Sequence, residues 1–280
     1  MRALVAALAL AVVAAVGFGL LGPMLWPGDT AGEPSPSPSA LVQAPSILIV
    51  AHRGDVDRFP EDTAEAIWAA AELGVDGVEM DVHRSADGTW WVIHDAALDR
   101  TTDRSGAIAE LSDAEIESAV IDGGHGFSAA DHVGIRVPRL STVLEGLADF
   151  PGRIYLDVKH ATGGDATELV ALAAGNPMSI LCRDEAEAAA IEALDPGVET
   201  VLVWTEGAET SAADAWLMEA ARQATPENVQ ASGLPVLVWV NERFVEDSEP
   251  AVLARALAAG VVAFLTKHPG PALAARDQSR

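Results

Sequence analysis

From position 47 onward, short apolar runs alternate with longer stretches in which apolar residues recur every three to four positions. The runs are Ile47 to Ala51, Gly77 to Val82, Trp90 to His94, Ile154 to Lys159, Met178 to Cys182, Thr200 to Trp204, Ala215 to Met218, Pro235 to Val240 and Val261 to Thr266. Their length, β-branched content and flanking turn residues predict strands. Between them, Thr63 to Leu73, Ser141 to Phe150, Ala166 to Ala174, Asp184 to Leu194, Thr225 to Ser232 and Pro250 to Ala259 predict helices. Thr225-Pro226-Glu227 gives one of these an N-cap and a proline in its first turn. Most of the strands are apolar on both faces, which points to a parallel sheet covered by helices. Eight βα units with one hairpin strand predict an α/β fold, a closed (β/α)8 TIM barrel, with an open doubly wound sheet as the alternative.

The rhythm breaks at two places. Leu98 to Pro138 contains one short helical pattern, Ser112 to Val120, and is too long for an ordinary connection, so it predicts a small insertion after the third strand, overhanging the barrel mouth. At the other end, Ala3 to Trp26 is an uncharged apolar run long enough to cross a bilayer. Residues 1–28 are expected to be a signal anchor or a signal peptide, with Gly17-Phe18-Gly19 offering a small-x-small cleavage site. Arg2 precedes the run and Asp29 and Glu33 follow it, which places the remainder outside the cytoplasm, membrane-anchored or secreted. Residues 29–45, with Pro34-Ser35-Pro36-Ser37-Pro38-Ser39, form a flexible linker, and residues 46–280 the folded domain.

Composition narrows the function. A formal net charge of -25 argues against sequence-independent nucleic-acid binding, which needs Lys and Arg to neutralise phosphates. An anionic small molecule has to be captured by local cations, and the chain's lysines are Lys159 and Lys267 alone. The single cysteine, Cys182, excludes an intramolecular disulfide and a Cys-x-x-Cys metal site, and its apolar run predicts a buried thiol.

The polar residues that interrupt the strands fall at strand ends. His52 and Arg53 follow the first strand, Glu79 and Asp81 lie near the end of the second, His94 ends the third, and Asp157 and Lys159 end the fourth. In a parallel barrel these positions share one rim. Glu79 and Asp81 are two apart, so both side chains point to the same side of an extended chain. Two carboxylates at about 5 Å repel by about 3 kcal/mol at an effective dielectric near 20. A divalent cation relieves that repulsion, and oxygen ligands suit Ca²⁺ or Mg²⁺. Arg53 beside such a site suggests a phosphate, because a guanidinium grips two phosphate oxygens. With Asp157 and Lys159 added, three carboxylates and one phosphodiester balance a divalent cation and two basic side chains. His52 and His94 then remain as a general acid and base pair.

Taken together, these segments resemble the glycerophosphodiester phosphodiesterase family. The resemblance rests on Ala51-His52-Arg53-Gly54, Phe59-Pro60-Glu61-Asp62-Thr63, Gly77-Val78-Glu79-Met80-Asp81-Val82, and His94-Asp95 with Leu98-Asp99-Arg100-Thr101-Thr102. It continues through Val137-Pro138-Arg139-Leu140, Tyr155-Leu156-Asp157-Val158-Lys159, Val238-Trp239-Val240-Asn241 and Thr266-Lys267-His268-Pro269. The resemblance implies a TIM barrel and hydrolysis of glycerophosphodiesters to glycerol 3-phosphate and an alcohol, dependent on Ca²⁺ or Mg²⁺. It implies that His52 and His94 are the acid and base, that Arg53 and Lys159 contact phosphate, and that Glu79, Asp81 and Asp157 hold the metal. It adds Glu61 beside the metal and Trp239 at the glycerol end of the pocket.

The chain departs from the family pattern at Asp62, where Asn is usual, at Asp157, where Glu is usual, and at Lys267, where Asp is usual. Alternatives within reach of the same site are a lysophospholipid or envelope-polymer phosphodiesterase and a non-catalytic glycerophosphate-binding protein. His83, His125, His132, His160 and His268 carry no spacing that demands chemistry, although His83 and His268 fall close to the rim. Trp90-Trp91 reads as packing, and Trp204 and Trp239 as candidates for the pocket wall.

Overall fold

The computed structural model describes residues 47–278 apart from 129, 131, 160–164, 173–176, 205–212, 221–222 and 241–248. The apolar segment expected at 1–28, the linker at 29–45, His160 and Asn241 lie outside the described residues. Among the described residues no helix is long and apolar enough to cross a membrane.

The strands are β1 (Leu48–His52), β2 (Gly77–Arg84), β3 (Trp90–Val92), β4 (Arg153–Val158), β5 (Met178–Cys182), β6 (Glu199–Val203), β7 (Ala215–Glu219), β8 (Val236–Trp239) and β9 (Ala263–Thr266). All pair in parallel around a ring β1-β2-β4-β5-β6-β7-β8-β9, closed by the β9–β1 pairing, except β3, which is antiparallel to β2. This is the closed eight-stranded barrel that the alternation predicts. Closure removes both sheet edges, which an open doubly wound sheet would have left exposed.

The helices are α1 (Ala64–Glu72), α2 (Asp113–Ser118), α3 (Leu140–Gly146), α4 (Asp165–Leu172), α5 (Glu185–Leu194), α6 (Pro226–Ala231), α7 (Glu249–Ala259) and α8 (Pro269–Gln278). Local chemistry sets several starts. The Thr63 hydroxyl caps α1 by accepting from Ala66 N at 3.2 Å, Asp184 caps α5 by accepting from Glu187 N at 2.9 Å, and Thr225 caps α6. The expected helix Ser141 to Phe150 stops at Gly146, which packs so tightly on Trp68 that a Cβ would come 2.2 Å from its indole nitrogen. Helix α8 was absent from the expected set; its prolines fall in the first turn, where no intrahelical N–H donor is needed.

Strand alternation sorts the core into two layers. One face of each strand packs outward against the helices, and this large cluster takes in Trp204 and Cys182, both buried. Trp204 is therefore core, not pocket wall. The inner face carries Val50, Tyr155, Leu181, Val201, Ala215, Leu217, Leu237, Ala263 and Leu265, an apolar plug through the middle of the barrel. Below the plug, Arg153 pairs with Glu199 at 3.3 Å and donates to Ser179 Oγ at 3.2 Å. Above it, the inner row becomes charged.

The insertion after β3 builds its own cluster from Trp91, Ile93, Leu98, Ile108, Ile116, Ala119, Ile121 and Val137. A polar knot ties it to the barrel. Asp113 at the start of α2 accepts from Ser85 Oγ at 2.7 Å, Thr89 Oγ1 at 2.5 Å, Trp91 Nε1 at 3.2 Å and Arg139 at 3.0 Å. The far end of the insertion reaches the β1–α1 loop, where Glu61 N donates to His125 O at 2.9 Å.

Candidate active site

Each strand of the ring ends in an inner-face residue that lies above the apolar plug. In order around the mouth these are His52 on β1, Glu79 and Asp81 on β2, Asp157 and Lys159 at the end of β4, Arg183 after β5, Val203 on β6, Glu219 on β7, Trp239 on β8 and Lys267 after β9. The fold therefore brings together His52, Glu79, Asp81, Asp157, Lys159 and Trp239, all expected at the rim.

The backbone turns sharply after β1 to aim Arg53 into this space. Arg53 has φ +62° and Asp62 has φ +57°, both in the left-handed region that non-glycine residues seldom adopt. The turn is held by Arg53 N, which donates to Glu79 O and Glu79 Oε2, each at 3.0 Å, and by Asp62 N, which donates to Arg53 O at 3.1 Å. Gly54, with φ +87°, lets α1 approach; a Cβ there would lie 2.5 Å from the Ala66 carbonyl carbon.

Arg53 donates to Glu61 Oε2 at 3.0 Å, and its Nε lies 2.9 Å from Asp81 Oδ2 as a charge contact without an aligned hydrogen bond. Lys159 Nζ bridges Asp81 Oδ1 at 2.7 Å and Asp157 Oδ2 at 2.5 Å. Arg183 holds the other Asp157 oxygen. Arg100, from the insertion, clamps Glu61 Oε1 at 2.5 Å and both oxygens of Asp95 at 2.6 and 3.0 Å.

These contacts shape the ionisation of the site. Burial, seconded by Arg53, holds His52 well below the ordinary imidazole value and keeps it neutral at pH 7. Burial and the neighbouring Asp81 and Asp157 push Glu79 well above its ordinary value. In Asp81 burial pushes upward, but Arg53 and Lys159 outweigh it and hold the carboxylate ionised. In Glu61 the same contest is won by Arg53, Arg100 and Lys267. Burial would discharge Lys159, yet Asp81 and Asp157 keep it protonated.

Glu79, Asp81 and Asp157 each place an oxygen within 4.8 Å of the others. The donors are all oxygen, they repel one another, and buried Asp81 Oδ2 receives no hydrogen bond from the described residues. That combination fits a hard divalent cation. Lys159 and Arg183 each hold one oxygen of Asp157, so a cation there would share those oxygens with the two basic side chains.

The two histidines differ in setting. His52 is buried, its ring 3.8 Å from Glu79 Oε2 and edge-on to the Trp239 indole at 6.2 Å between centroids. His94 is more open, with Nδ1 on Asp95 Oδ1 at 2.6 Å, while His83 Nε2 meets the His94 carbonyl at 3.1 Å. His83 thus supports the rim from behind, whereas His268 pairs with Asp57 at 2.6 Å.

Each departure from the family pattern has a place in the geometry. The Asp62 carboxylate is buried and accepts from Asp81 N at 3.2 Å, so it faces the β2 backbone. The shorter Asp157 is bracketed by Lys159 and Arg183. Lys267, nearly buried, stands 3.9 Å from Glu61 Oε2 and contributes a cation to that corner. Arg183, Glu219 and Arg100 were absent from the expected site. The first two share the inner parity and strand-end position of the others, the signal that would have exposed them.

Comparison with known proteins follows the same lines. The model of the "Glycerophosphoryl diester phosphodiesterase family" matches residues 52–271. A glycerophosphodiester phosphodiesterase of Caldanaerobacter subterraneus is 38% identical over 112 residues, covering 40% of this chain and 45% of that protein. One from Bacillus subtilis is 34% identical over 137 residues, 46% of this chain and 44% of that protein. The chain thus spans a little under half the length of these curated relatives. Among solved structures, a glycerophosphodiester phosphodiesterase from Agrobacterium tumefaciens superposes with a TM-score of 0.68 at 26% identity, covering 81% of this chain and 99% of that one. An Oleispira antarctica phosphodiesterase, solved in complex with the product sn-glycerol-3-phosphate, shares the fold with a TM-score of 0.67 at 21% identity, over 82% of this chain and 96% of that one.

Proposed function

The chain belongs to the glycerophosphoryl diester phosphodiesterase family, and from that premise we propose that it hydrolyses glycerophosphodiesters to glycerol 3-phosphate and an alcohol. The observation that carries this reading is the closure of one rim around His52, Arg53, Glu79, Asp81, His94, Asp157 and Lys159. Glu79, Asp81 and Asp157 would hold a divalent cation, with Ca²⁺ suited better than Mg²⁺ because the shorter Asp157 reaches less far and Ca²⁺ is less demanding of its ligands. When bound, the cation draws charge from a phosphoryl oxygen and so favours attack at phosphorus.

Arg53 and Lys159 orient the phosphate, and the insertion's Arg100 fixes Glu61 and Asp95 around it. His52, buried and neutral, takes the proton of the attacking water as the new P–O bond forms. The bond to the alcohol oxygen breaks as His94, oriented by Asp95, donates a proton to that oxygen. The next turnover needs the proton to pass from His52 to His94 through solvent at the open mouth.

The active domain works outside the cytoplasm, delivered by the apolar segment near the N-terminus, which anchors it if uncleaved. Fractionation followed by N-terminal sequencing tests that assignment. For the reaction, the purified full chain is incubated with glycerophosphocholine and Ca²⁺ and glycerol 3-phosphate is assayed. Product lost on chelation and in His52→Ala is expected. Absence of product from every glycerophosphodiester tried, or product indifferent to both treatments, overturns the reading.

A further inference from the structure

Among the described residues the mouth holds a further inward carboxylate, across the ring from β2. In β7, Ala215 and Leu217 belong to the inner plug and Trp216 and Met218 to the outer cluster, so Glu219 continues the inner row at the strand's C-terminal end. It is 6% exposed. Strand register sets it beside Trp239, the residue whose indole lies edge-on to His52. Its backbone is locked by Gln223, whose Oε1 accepts from Glu219 N at 2.7 Å and whose N donates to Glu219 O at 2.9 Å.

Around the ring, β7 is four strands from β2 in either direction, directly across the mouth from Glu79 and Asp81. A phosphate held on the β1, β2 and β4 arc leaves the rest of the substrate to cross toward β7 and β8. There it meets an indole wall and a carboxylate. A carboxylate offers hydrogen-bond acceptors on two oxygens side by side. The complementary group is a pair of adjacent hydroxyls.

We propose that Glu219 is a specificity-determining residue that accepts hydrogen bonds from the two free hydroxyls of the substrate's glycerol arm beside Trp239. The site thereby selects deacylated glycerophosphodiesters over lysophospholipids. Acylation replaces one donor with an ester and turns an acyl chain toward a buried carboxylate, and a site built for hydroxyls discriminates strongly against a ligand lacking them. The proposal rests on the phosphodiesterase reading for its substrate.

The test uses the full chain as wild type, Glu219→Gln and Glu219→Ala. kcat/KM is measured for glycerophosphocholine, for propylphosphocholine, which has the same leaving group without the hydroxyls, and for 1-acyl-glycerophosphocholine. Calorimetry gives Kd for sn-glycerol 3-phosphate, propyl phosphate and Ca²⁺. The wild type is expected to favour the diol over both alternatives by at least about tenfold. Both variants should lose most of that preference while keeping their Ca²⁺ affinity. Glu219→Gln, which preserves shape, answers the question if Glu219→Ala does not fold.

An equal preference in wild type and variants, or efficient wild-type turnover of the acylated substrate, overturns the proposal. Glu219-dependent diol binding without turnover keeps the proposal and removes the hydrolase reading. Turnover with an unaltered preference does the reverse.

Discussion

Two arcs of the same rim are built on different physics. On the arc formed by β1, β2 and β4, charged side chains interlock: Arg53 meets Glu61 and Asp81, and Lys159 meets Asp81 and Asp157. On the facing arc, Val203, Glu219 and Trp239 are spaced one per strand, and two of the three are apolar. The crowded arc can crowd because its repulsions are cancelled pairwise. Carboxylate oxygens within 4.8 Å of one another repel by about 3 kcal/mol per pair at an effective dielectric near 20, and a cation or a basic side chain removes that cost. The sparse arc needs no such network and is free to provide shape. One arc is suited to chemistry, the other to selection.

The comparison breaks most sharply at the histidines. His52→Ala and His94→Ala are each expected to lower kcat by about 10²- to 10⁴-fold with little change in melting temperature, read by steady-state assay and calorimetry. Val203→Ala on the facing arc should leave kcat within a few-fold, and an equal loss at both arcs would erase the distinction.

Asp81→Asn comes next. It leaves Arg53 and Lys159 without their shared partner, so a loss of about 3 to 5 kcal/mol in chemical denaturation is expected, together with a weakened Ca²⁺ titration. A stable variant with intact Ca²⁺ binding would show that the network is dispensable.

Gly54→Ala should cost about 1 to 3 kcal/mol, because it places a Cβ against the α1 backbone at a positive φ. The loss should also reach activity, since the same turn aims Arg53. Unchanged stability and activity would mean that the turn relaxes freely.

The smallest effect lies outside both arcs, at the knot that ties down the insertion. Burial pushes Asp113 upward, but hydrogen bonds from Thr89, Ser85, Trp91 and Arg139 outweigh it and hold the carboxyl at about 2. A depressed carboxylate stabilises the fold above its unfolded value near 3.9, and that contribution fades as pH falls toward 2. Asp113→Asn is expected to cost about 1 to 2 kcal/mol at pH 7 through its weakened hydrogen bonds. The gap to wild type should close between about pH 4 and 2, read from melting curves across that range. A gap that is constant with pH would remove the charge from the account.

Much of this was legible in local patterns. Period-two alternation and strand-end polarity placed His52, Glu79, Asp81, Asp157 and Lys159 on one rim, because strand parity is a property of neighbouring residues and survives any closure of the sheet. The same parity rule extends to Arg183 and Glu219, which were passed over because neither has a second polar residue two positions away inside its strand. Trp204 shows the limit from the other side: one position beyond inward Val203, it faces the helices and belongs to the core.

The tertiary structure alone decided which distant residues share a partner. Lys267 meets Glu61 across the β9–β1 closure, Arg183 meets Asp157 across neighbouring strands, and Arg100 reaches Glu61 from the insertion. Glu219 stands opposite the carboxylates of β2 because the ring has eight members. The chain by itself determined the identity and the inward parity of the groups at the mouth, since both are set by side-chain chemistry and the backbone's two-residue repeat. Who neutralises whom depended on barrel closure, which makes neighbours of residues that no local interaction relates.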